Sequence, residues 1–313
     1  MIEVQELNKQ FGSFSALKNV SFKAEKGEIV GFIGPNGAGK TTMIRILATL
    51  EDPSSGTAKI SGYSVLNDPE KVRQSIGFMP DYYGTYDGIE VWEYLDFFAA
   101  AYKIPRSKRK KIVADVMELT DLTQVPNKLI STLSKGMKQR LCLAKTLIHD
   151  PQVLILDEPA AGLDPRARIE LKMLLKELST MGKTILISSH ILTELADFIH
   201  SVVIIEHGEV KAFGSINTIR EAFHEKISKE SQLLLIQVHQ QSEEAFEILK
   251  KNECVLQAEI KSNGIEFEFL GSDGEIYLVL KDLIDKQIPI TSLKKIEKGL
   301  EDIFMQVTDG VVS

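Results

Sequence analysis

The sequence predicts a layered α/β domain followed by a small α+β domain. In the first part of the 313-residue chain, apolar runs of strand length such as Ile29–Ile33 and Val153–Leu156 alternate with helical segments. Beyond about residue 220 the order changes to β-α-β-β-α-β, which is typical of a ferredoxin-like split βαβ unit. We therefore expect domains at 1–220 and 221–313, with a helical insertion at about 85–150 in the first.

The first domain begins with strands. Ile2–Leu7 alternates apolar and polar residues, as a half-buried strand does, whereas Ile29–Ile33 is almost wholly apolar, as in a strand covered on both faces. Apolar residues at helical spacing then run from about 88 to 150, on both sides of Pro105. Strands predicted at 153–156, 184–188 and 202–205 alternate with helices predicted at 165–180 and 191–199.

The second domain is predicted element by element. A polar, helical stretch at 216–229 leads into it. The pattern then predicts a strand at 232–238, a helix at 242–251, a hairpin of strands at 255–261 and 264–270, a helix at 274–286 and a strand at 289–296. A last helix is predicted at 299–307.

Composition excludes several classes of protein. Lys and Arg number 37 against 44 Asp and Glu, a net charge of −7, which argues against a nucleic-acid partner. The two cysteines, Cys142 and Cys254, lack the spacing of metal ligands. No apolar run approaches the ~18 residues of a membrane-spanning helix. We expect a cytoplasmic chain, and any membrane process it serves needs another polypeptide to cross the membrane.

A complete G-x-x-x-x-G-K-[ST] motif follows the strand at 29–33 and opens a helix. Its glycines let backbone N–H groups wrap phosphate oxygens, and the helix start adds its positive dipole end. Lys40 is placed to reach the β- and γ-phosphates, and the Thr41 hydroxyl to bind Mg²⁺. The motif predicts a nucleoside triphosphate site formed by Gly34, Pro35, Asn36, Gly37, Ala38, Gly39, Lys40, Thr41 and Thr42.

Two acids end the apolar strand at 153–156. Asp157 is placed to hold Mg²⁺ directly or through water. Glu158 follows immediately, so it points elsewhere, and its position makes it the candidate general base for an attacking water. A carboxylate there predicts hydrolysis of the nucleotide rather than binding alone.

Leu133–Met137 lies between the phosphate loop and the acids, and this order resembles the ATP-binding cassette (ABC) ATPases over about residues 1–215. The resemblance implies a P-loop NTPase of the ABC type that binds ATP with Mg²⁺. It also implies that Ser134 and Gly136 contact the γ-phosphate bound by a second subunit, in a homodimer or a pair of ATPase subunits. Lys135 and Met137 depart from the more frequent Gly and Gln of this signature.

Smaller motifs agree with the resemblance. Asp164 ends a segment that is similar to the family's D-loop, and His190 matches its switch histidine on the γ-phosphate. Phe11 stands where the family stacks an aromatic ring on adenine, although a phenylalanine in the core is an alternative. Asp81 replaces the usual glutamine of the Q-loop; we expect it to keep the Mg²⁺ contact and to alter coupling between ATP and the partner.

Two surfaces have more than one interpretation. The basic cluster is either a solvated helix start or a contact with anionic lipid headgroups; it comprises Lys103, Arg106, Lys108, Arg109, Lys110 and Lys111. Aromatic residues between 82 and 98 occupy the region where the family's transporters dock their membrane partner, although core packing explains them equally well. They include Tyr83, Tyr86, Trp92 and Tyr94.

The leading interpretation is the ATPase subunit of an ABC transporter that acts on a separate integral-membrane permease. The Lys-Gly-Met signature and the segment 299–304 resemble ABC-2-type exporters. The alternative is a soluble ABC ATPase acting on nucleic acid or ribosomes, which usually shows tandem cassettes, a long coiled coil or zinc-binding cysteines. A small-molecule kinase would share the phosphate loop, but would not account for residues 133–140 or His190.

Overall fold

The computed structural model describes residues 1–81, 84, 86, 88–216, 218–219, 232–239, 242–271 and 273–296. The described chain divides into two compact units, and the first ends at Ile216. The helix predicted at 299–307, and most of the helical stretch predicted at 216–229, lie outside the described residues.

The first unit contains a small antiparallel sheet. Strand β1 pairs with both β2 and β4, and β4 pairs with β5, giving the order β2-β1-β4-β5. The strand predicted at 2–7 extends to residue 11, with Ile2, Val4 and Leu7 buried. The strands are β1 Ile2–Phe11, β2 Phe14–Ala24, β4 Ser55–Ile60 and β5 Tyr63–Ser64.

A second sheet is mainly parallel, and its order is β10-β9-β3-β8-β7-β6. Strands β9, β3, β8, β7 and β6 run parallel, while β10 is an antiparallel edge. Because carboxyl ends of parallel strands meet at one edge, the segments after β3, β6, β7 and β8 gather there. The strands are β3 Ile29–Ile33, β6 Ile76–Met79, β7 Val153–Leu156, β8 Thr184–Ser189, β9 Ser201–Glu206 and β10 Glu209–Ser215.

The helices of this unit include the predicted ones and one at 69–75 that was not predicted. They are α1 Lys40–Leu47, α2 Pro69–Ser75, α3 Val91–Ala101, α4 Arg106–Leu119, α5 Lys135–Leu147, α6 Pro165–Thr180 and α7 Leu192–Leu195. The helix predicted at 191–199 is therefore only one turn long. The chain turns after it, burying Phe198 and Ile199, so that His200 N–H can donate to the Ile29 carbonyl at 2.8 Å.

The main core lies between the two sheets around α1. Phe32 of β3, Leu7 of β1 and Met43 and Ile44 of α1 are fully buried within one apolar cluster. This packing fixes the start of α1, and with it the preceding loop, against the ends of the central strands.

The second unit is a four-stranded antiparallel sheet with two helices. Its order, β12-β13-β11-β14, places β13 between the two strands of β11-α8-β12, and β11 between those of β13-α9-β14. This is the ferredoxin-like split arrangement that the sequence predicted. The elements are β11 Gln232–Val238, α8 Ser242–Lys251, β12 Val255–Lys261, β13 Gly264–Phe269, α9 Ile276–Asp285 and β14 Ile290–Lys295.

None of the helices in the described ranges combines the length and the apolar character that crossing a lipid bilayer requires.

Candidate functional site

The phosphate loop, residues 34–42, connects β3 to α1 and approaches neighbouring backbone closely. Gly39 has φ 106°, a left-handed conformation that favours glycine, and a Cβ there would lie 2.7 Å from the Ala16 carbonyl oxygen. A Cβ on Gly34 would lie 2.2 Å from the Ile205 carbonyl oxygen. Both glycines are therefore required by the way β2 and β9 pack against the loop.

The Lys40 ammonium is held inside this loop. Its side chain is only 7% exposed, and Nζ donates hydrogen bonds to the carbonyls of Gly34 at 2.7 Å and Pro35 at 3.2 Å. Burial lowers the pKa of Lys40, and the carboxylates of Glu158 and Asp157 oppose that shift. The loop thus positions a partly desolvated cation where phosphate oxygens would lie.

Asp157 follows β7 and is buried. Ser188 of β8 donates a 2.6 Å hydrogen bond to Oδ1 of Asp157. Burial raises the pKa of Asp157; hydrogen bonds from Ser188 and Thr41 oppose this, while the charges of Asp81 and Glu158 add to it. The structure therefore brings Thr41, Asp81 and Asp157, the three predicted Mg²⁺ ligands, into one neighbourhood.

This donor set suits a hard cation. It offers one hydroxyl and two carboxylates, and Mg²⁺ is commonly held by one or two carboxylates together with phosphate oxygens. In the described parts of the chain there is no group of three His, Cys, Asp or Glu side chains that could hold a metal by itself. A cation at Thr41 and Asp157 would therefore depend on oxygens supplied by the nucleotide.

Glu158 lies between two other predicted site residues. Its Oε1 is 3.8 Å from Lys40 Nζ, and its Oε2 is 3.0 Å from Nδ1 of His190, just past the end of β8. Its backbone has φ 47°, unfavourable by about 1–2 kcal/mol for a residue with a side chain. The Ser188 hydroxyl, which accepts a 2.8 Å hydrogen bond from Glu158 N–H, holds this conformation. Such strain is characteristic of functional positions.

Ser134, Gly136 and Asp164 lie at the starts of two helices. Ser134 caps α5 by accepting a 3.3 Å hydrogen bond from Met137 N–H, and Asp164 caps α6 by accepting one of 3.0 Å from Ala167 N–H. A Cβ on Gly136 would find no heavy atom nearer than 3.8 Å. The described contacts of these residues are with α5, α6 and the preceding turn, so the structure does not bring them to their own phosphate loop.

Phe11 ends β1 and is 47% exposed, so it is not a core residue. The Lys9 ammonium lies 4.7 Å from the centroid of its ring. The same hairpin reaches the phosphate loop, because Ala16 and Leu17 of β2 pack against Gly39. Phe11 is therefore available for stacking on a base, which is one of the two roles the sequence left open.

The aromatic residues near 82–98 divide between core and surface. Tyr94 is 2% exposed, whereas Tyr86 and Trp92 are 57% and 42% exposed. Tyr83 lies outside the described residues. The rings of Tyr86 and Trp92 are exposed enough to contact a docked partner, whereas Tyr94 is a core residue.

Sequence reasoning missed Ser188. The serine contacts both site acids, donating to Asp157 and accepting from Glu158 N–H. The signal was present: Ser188 and Ser189 are polar residues in a strand that is buried along its whole length. A buried hydroxyl needs a hydrogen-bonding partner, and Ser188 near the end of β8 lies beside Asp157, the residue that follows β7.

Comparisons with known proteins agree with this geometry. Residues 17–161 match the sequence profile of the ABC transporter family. The chain is 35% identical over 227 residues to the ABC transporter ATP-binding protein NatA of Bacillus subtilis, covering 71% of this chain and 92% of that protein. It is 36% identical over 209 residues to the doxorubicin resistance ATP-binding protein DrrA of Mycobacterium tuberculosis, covering 67% and 63%.

A solved structure adds the link to hydrolysis. The dimeric post-hydrolysis state of the ATP-binding cassette MJ0796, bound to ADP and Pi, superposes with a TM-score of 0.62 at 26% identity, covering 69% of this chain and 99% of that one. Because it has a relative at 35% identity over most of both chains, this chain belongs to the ABC transporter ATP-binding proteins and is an ATPase.

Proposed function

We propose that this chain is the ATPase subunit of an ABC-2-type exporter, peripheral on the cytoplasmic face of the cell membrane. Two such subunits close on ATP and open after hydrolysis, and a separate integral-membrane permease converts that motion into export. The observation that carries the ATPase chemistry is the position of Glu158 between Lys40 and His190. Export is supported by the relative that is named for doxorubicin resistance and by the Lys-Gly-Met signature.

Hydrolysis follows from the placement of these side chains. Backbone N–H groups of the phosphate loop and the Lys40 ammonium bind the β- and γ-phosphates. Glu158 accepts the proton of the attacking water, and His190, which contacts the same carboxylate, orients it and faces the γ-phosphate. When bound at Thr41, Asp81 and Asp157, Mg²⁺ supplies positive charge that offsets the charge developing on the phosphates.

A head-to-tail pair accounts for the residues that face away from their own loop. Within one chain, the fold gives no steric reason for glycine at 136, since a Cβ there meets nothing nearer than 3.8 Å. A partner that approaches the start of α5 closely is therefore the better explanation for a residue without a side chain. We infer that the nucleotide bound by the second subunit approaches Ser134 and Gly136, and that Asp164 lies along the same seam.

The proposal is tested by capture of the permease. A Glu158→Gln variant keeps the shape of the site but lacks the base, so we expect it to bind ATP, to hydrolyse it slowly and to remain closed. It is purified with ATP from detergent-solubilised cells, and mass spectrometry identifies what accompanies it. Glu177→Gln, which neutralises an exposed carboxylate on α6, is the matched control.

Enrichment of a polytopic membrane protein with Glu158→Gln relative to Glu177→Gln supports the exporter proposal. Enrichment of ribosomal or nucleic-acid-associated proteins, without a membrane protein, contradicts it. In that case the chain is an ABC ATPase of the class that acts without a permease.

A further inference from the structure

A cluster of exposed cations surrounds the start of α4. One cation of this region, Arg109, is partly buried and connects the cluster to α3. Its Nε donates a 2.8 Å hydrogen bond to the Ile104 carbonyl, and its Nη1 lies 3.9 Å from Asp96 Oδ2. We name the exposed group the basic turn. It consists of Lys103, Arg106, Lys108, Lys110 and Lys111.

The basic turn makes the chain electrostatically asymmetric. Residues 97–114 contain these five cations and Arg109 and no Asp or Glu; removing those six charges from the net charge of −7 leaves −13 on the rest of the chain. A negatively charged surface would attract the basic turn and repel most of the remaining protein. Such asymmetry orients a protein as well as binding it.

The fold does not account for these charges. Within the described part of the chain, no carboxylate forms an ion pair with any of the five. The first turn of α4 has no acidic residue, and its N-cap, Pro105, offers no side-chain cap. Cations at the positive end of a helix are unfavourable, and the described residues place no carboxylate against these five to offset them.

Exposed aromatic rings lie on the neighbouring helix. Phe97, next to the Asp96 that Arg109 approaches, is 53% exposed, and its ring centroid is 6.2 Å from that of the exposed Tyr86. Trp92, also on α3, is 42% exposed. Exposed aromatic rings and lysines on adjoining helices are typical of surfaces that meet the headgroup layer of a bilayer.

The identity of the cations favours lipid over an acidic protein face. Four of the five are lysines, which act as mobile point charges, whereas arginine is the residue suited to fixed, bidentate recognition of a carboxylate. Mobile ammonium groups match a fluid layer of phosphates. The geometry points to the basic turn as a contact with anionic lipid headgroups of the membrane that holds the permease. This inference rests on the proposed function only in placing the chain beside a membrane.

The test uses the full chain without any permease. Sedimentation measures its binding to vesicles of phosphatidylcholine with about 30% phosphatidylglycerol, and to vesicles of phosphatidylcholine alone. We expect binding only to the anionic vesicles, and weaker binding as salt rises and screens the charges. Lys108→Gln, Lys110→Gln and Lys111→Gln together should lower the partition coefficient about 100-fold, since each lysine near such a surface contributes roughly fivefold.

A second triple variant is the matched control. Lys26→Gln, Lys59→Gln and Lys176→Gln remove the same charge from exposed but scattered positions, and should change binding less than about fivefold. ATP turnover in solution should be unchanged in both variants, which shows that they fold. Equal losses in the two triples would mean that only net charge matters, and would overturn the inference.

Two other results would also overturn it. One is a wild-type chain that ignores anionic vesicles. The other is a basic-turn variant that binds vesicles normally but loses the permease in detergent, which would assign the basic turn to an acidic protein face. Because the vesicles contain no protein, their result is independent of whether a permease is captured with Glu158→Gln.

Discussion

Ser188→Ala tests whether the two site acids are held by a single hydroxyl. Ser188 is 1% exposed, and its Oγ donates to Asp157 at 2.6 Å while accepting from Glu158 N–H at 2.8 Å. Alanine removes both bonds and one oxygen atom, with little change in volume. The perturbation is therefore confined to the acids at the end of β7.

The expected loss follows from the two bonds. A hydrogen bond to a buried carboxylate contributes about 1.5–3 kcal/mol, and a neutral one to a backbone N–H about 0.5–1.5 kcal/mol. Their loss should reduce the free energy of unfolding by about 2–4 kcal/mol. Because the Ser188 bond opposes the burial that raises the pKa of Asp157, that pKa should rise further in the variant.

Urea unfolding and steady-state ATP turnover measure the two consequences. Ser189→Ala is the control, because Ser189 is also buried but its hydrogen bonds to described residues lie within its own turn, where it accepts from Ile191 N–H at 3.0 Å. That variant should lose about 1 kcal/mol and retain most of its activity. If Ser188→Ala loses no more stability than Ser189→Ala and turns over ATP as fast as wild type, the hydroxyl does not hold the acids and the argument is wrong.

Three further predictions follow. Glu158→Gln should slow single-turnover hydrolysis by roughly 10²–10⁴-fold while ATP binding, measured by equilibrium titration, changes little. Asp81→Gln should alter stimulation of ATP turnover by the reconstituted permease, because an amide replaces a charged oxygen donor; unchanged stimulation would remove Asp81 from coupling. Burial lowers the pKa of His149 below its usual value, so the unfolded chain binds that proton more readily and acid lowers stability. In His149→Phe, which can still stack on Tyr102, the loss of unfolding free energy below about pH 6.5 should shrink in urea titrations.

The elements of the fold were largely predictable because they depend on local patterns. In the second unit the strand Gln232–Val238 and the helix Ser242–Lys251 have the predicted bounds. Alternation and helical spacing record which face of each element is buried, and the Ser-Asn-Gly turn joins the two strands of the hairpin. At 191–199 the same reasoning overestimated a helix, because burial of Phe198 and entry into β9 outweigh helical spacing.

The parts of the site that lie in one stretch of sequence were also predictable. The phosphate loop is contiguous, and so are the acids at 157–158. Ser188 was not predicted because its role depends on the register of β7 against β8, which pairs Leu156 with Ile187 and so brings the following residues together. The left-handed backbone of Glu158 was equally hidden, since neither its identity nor its neighbours indicate φ 47°.

Burial acts on Lys40 and Asp157 in the same sense: it favours the neutral form of each, lowering the pKa of the lysine and raising that of the aspartate. The carboxylate of Asp157 also opposes loss of the charge on Lys40. Burial of these two charges is therefore unfavourable for folding by itself, and hydrogen bonds and ion pairs with Ser188, the carbonyls of the phosphate loop and Glu158 maintain the arrangement. Bound ATP with Mg²⁺ would bring negatively charged phosphates to Lys40 and a positive ion to Asp157. Stability and turnover are thus linked through the same few hydrogen bonds, because the bonds that hold these charges in the fold also place them for catalysis.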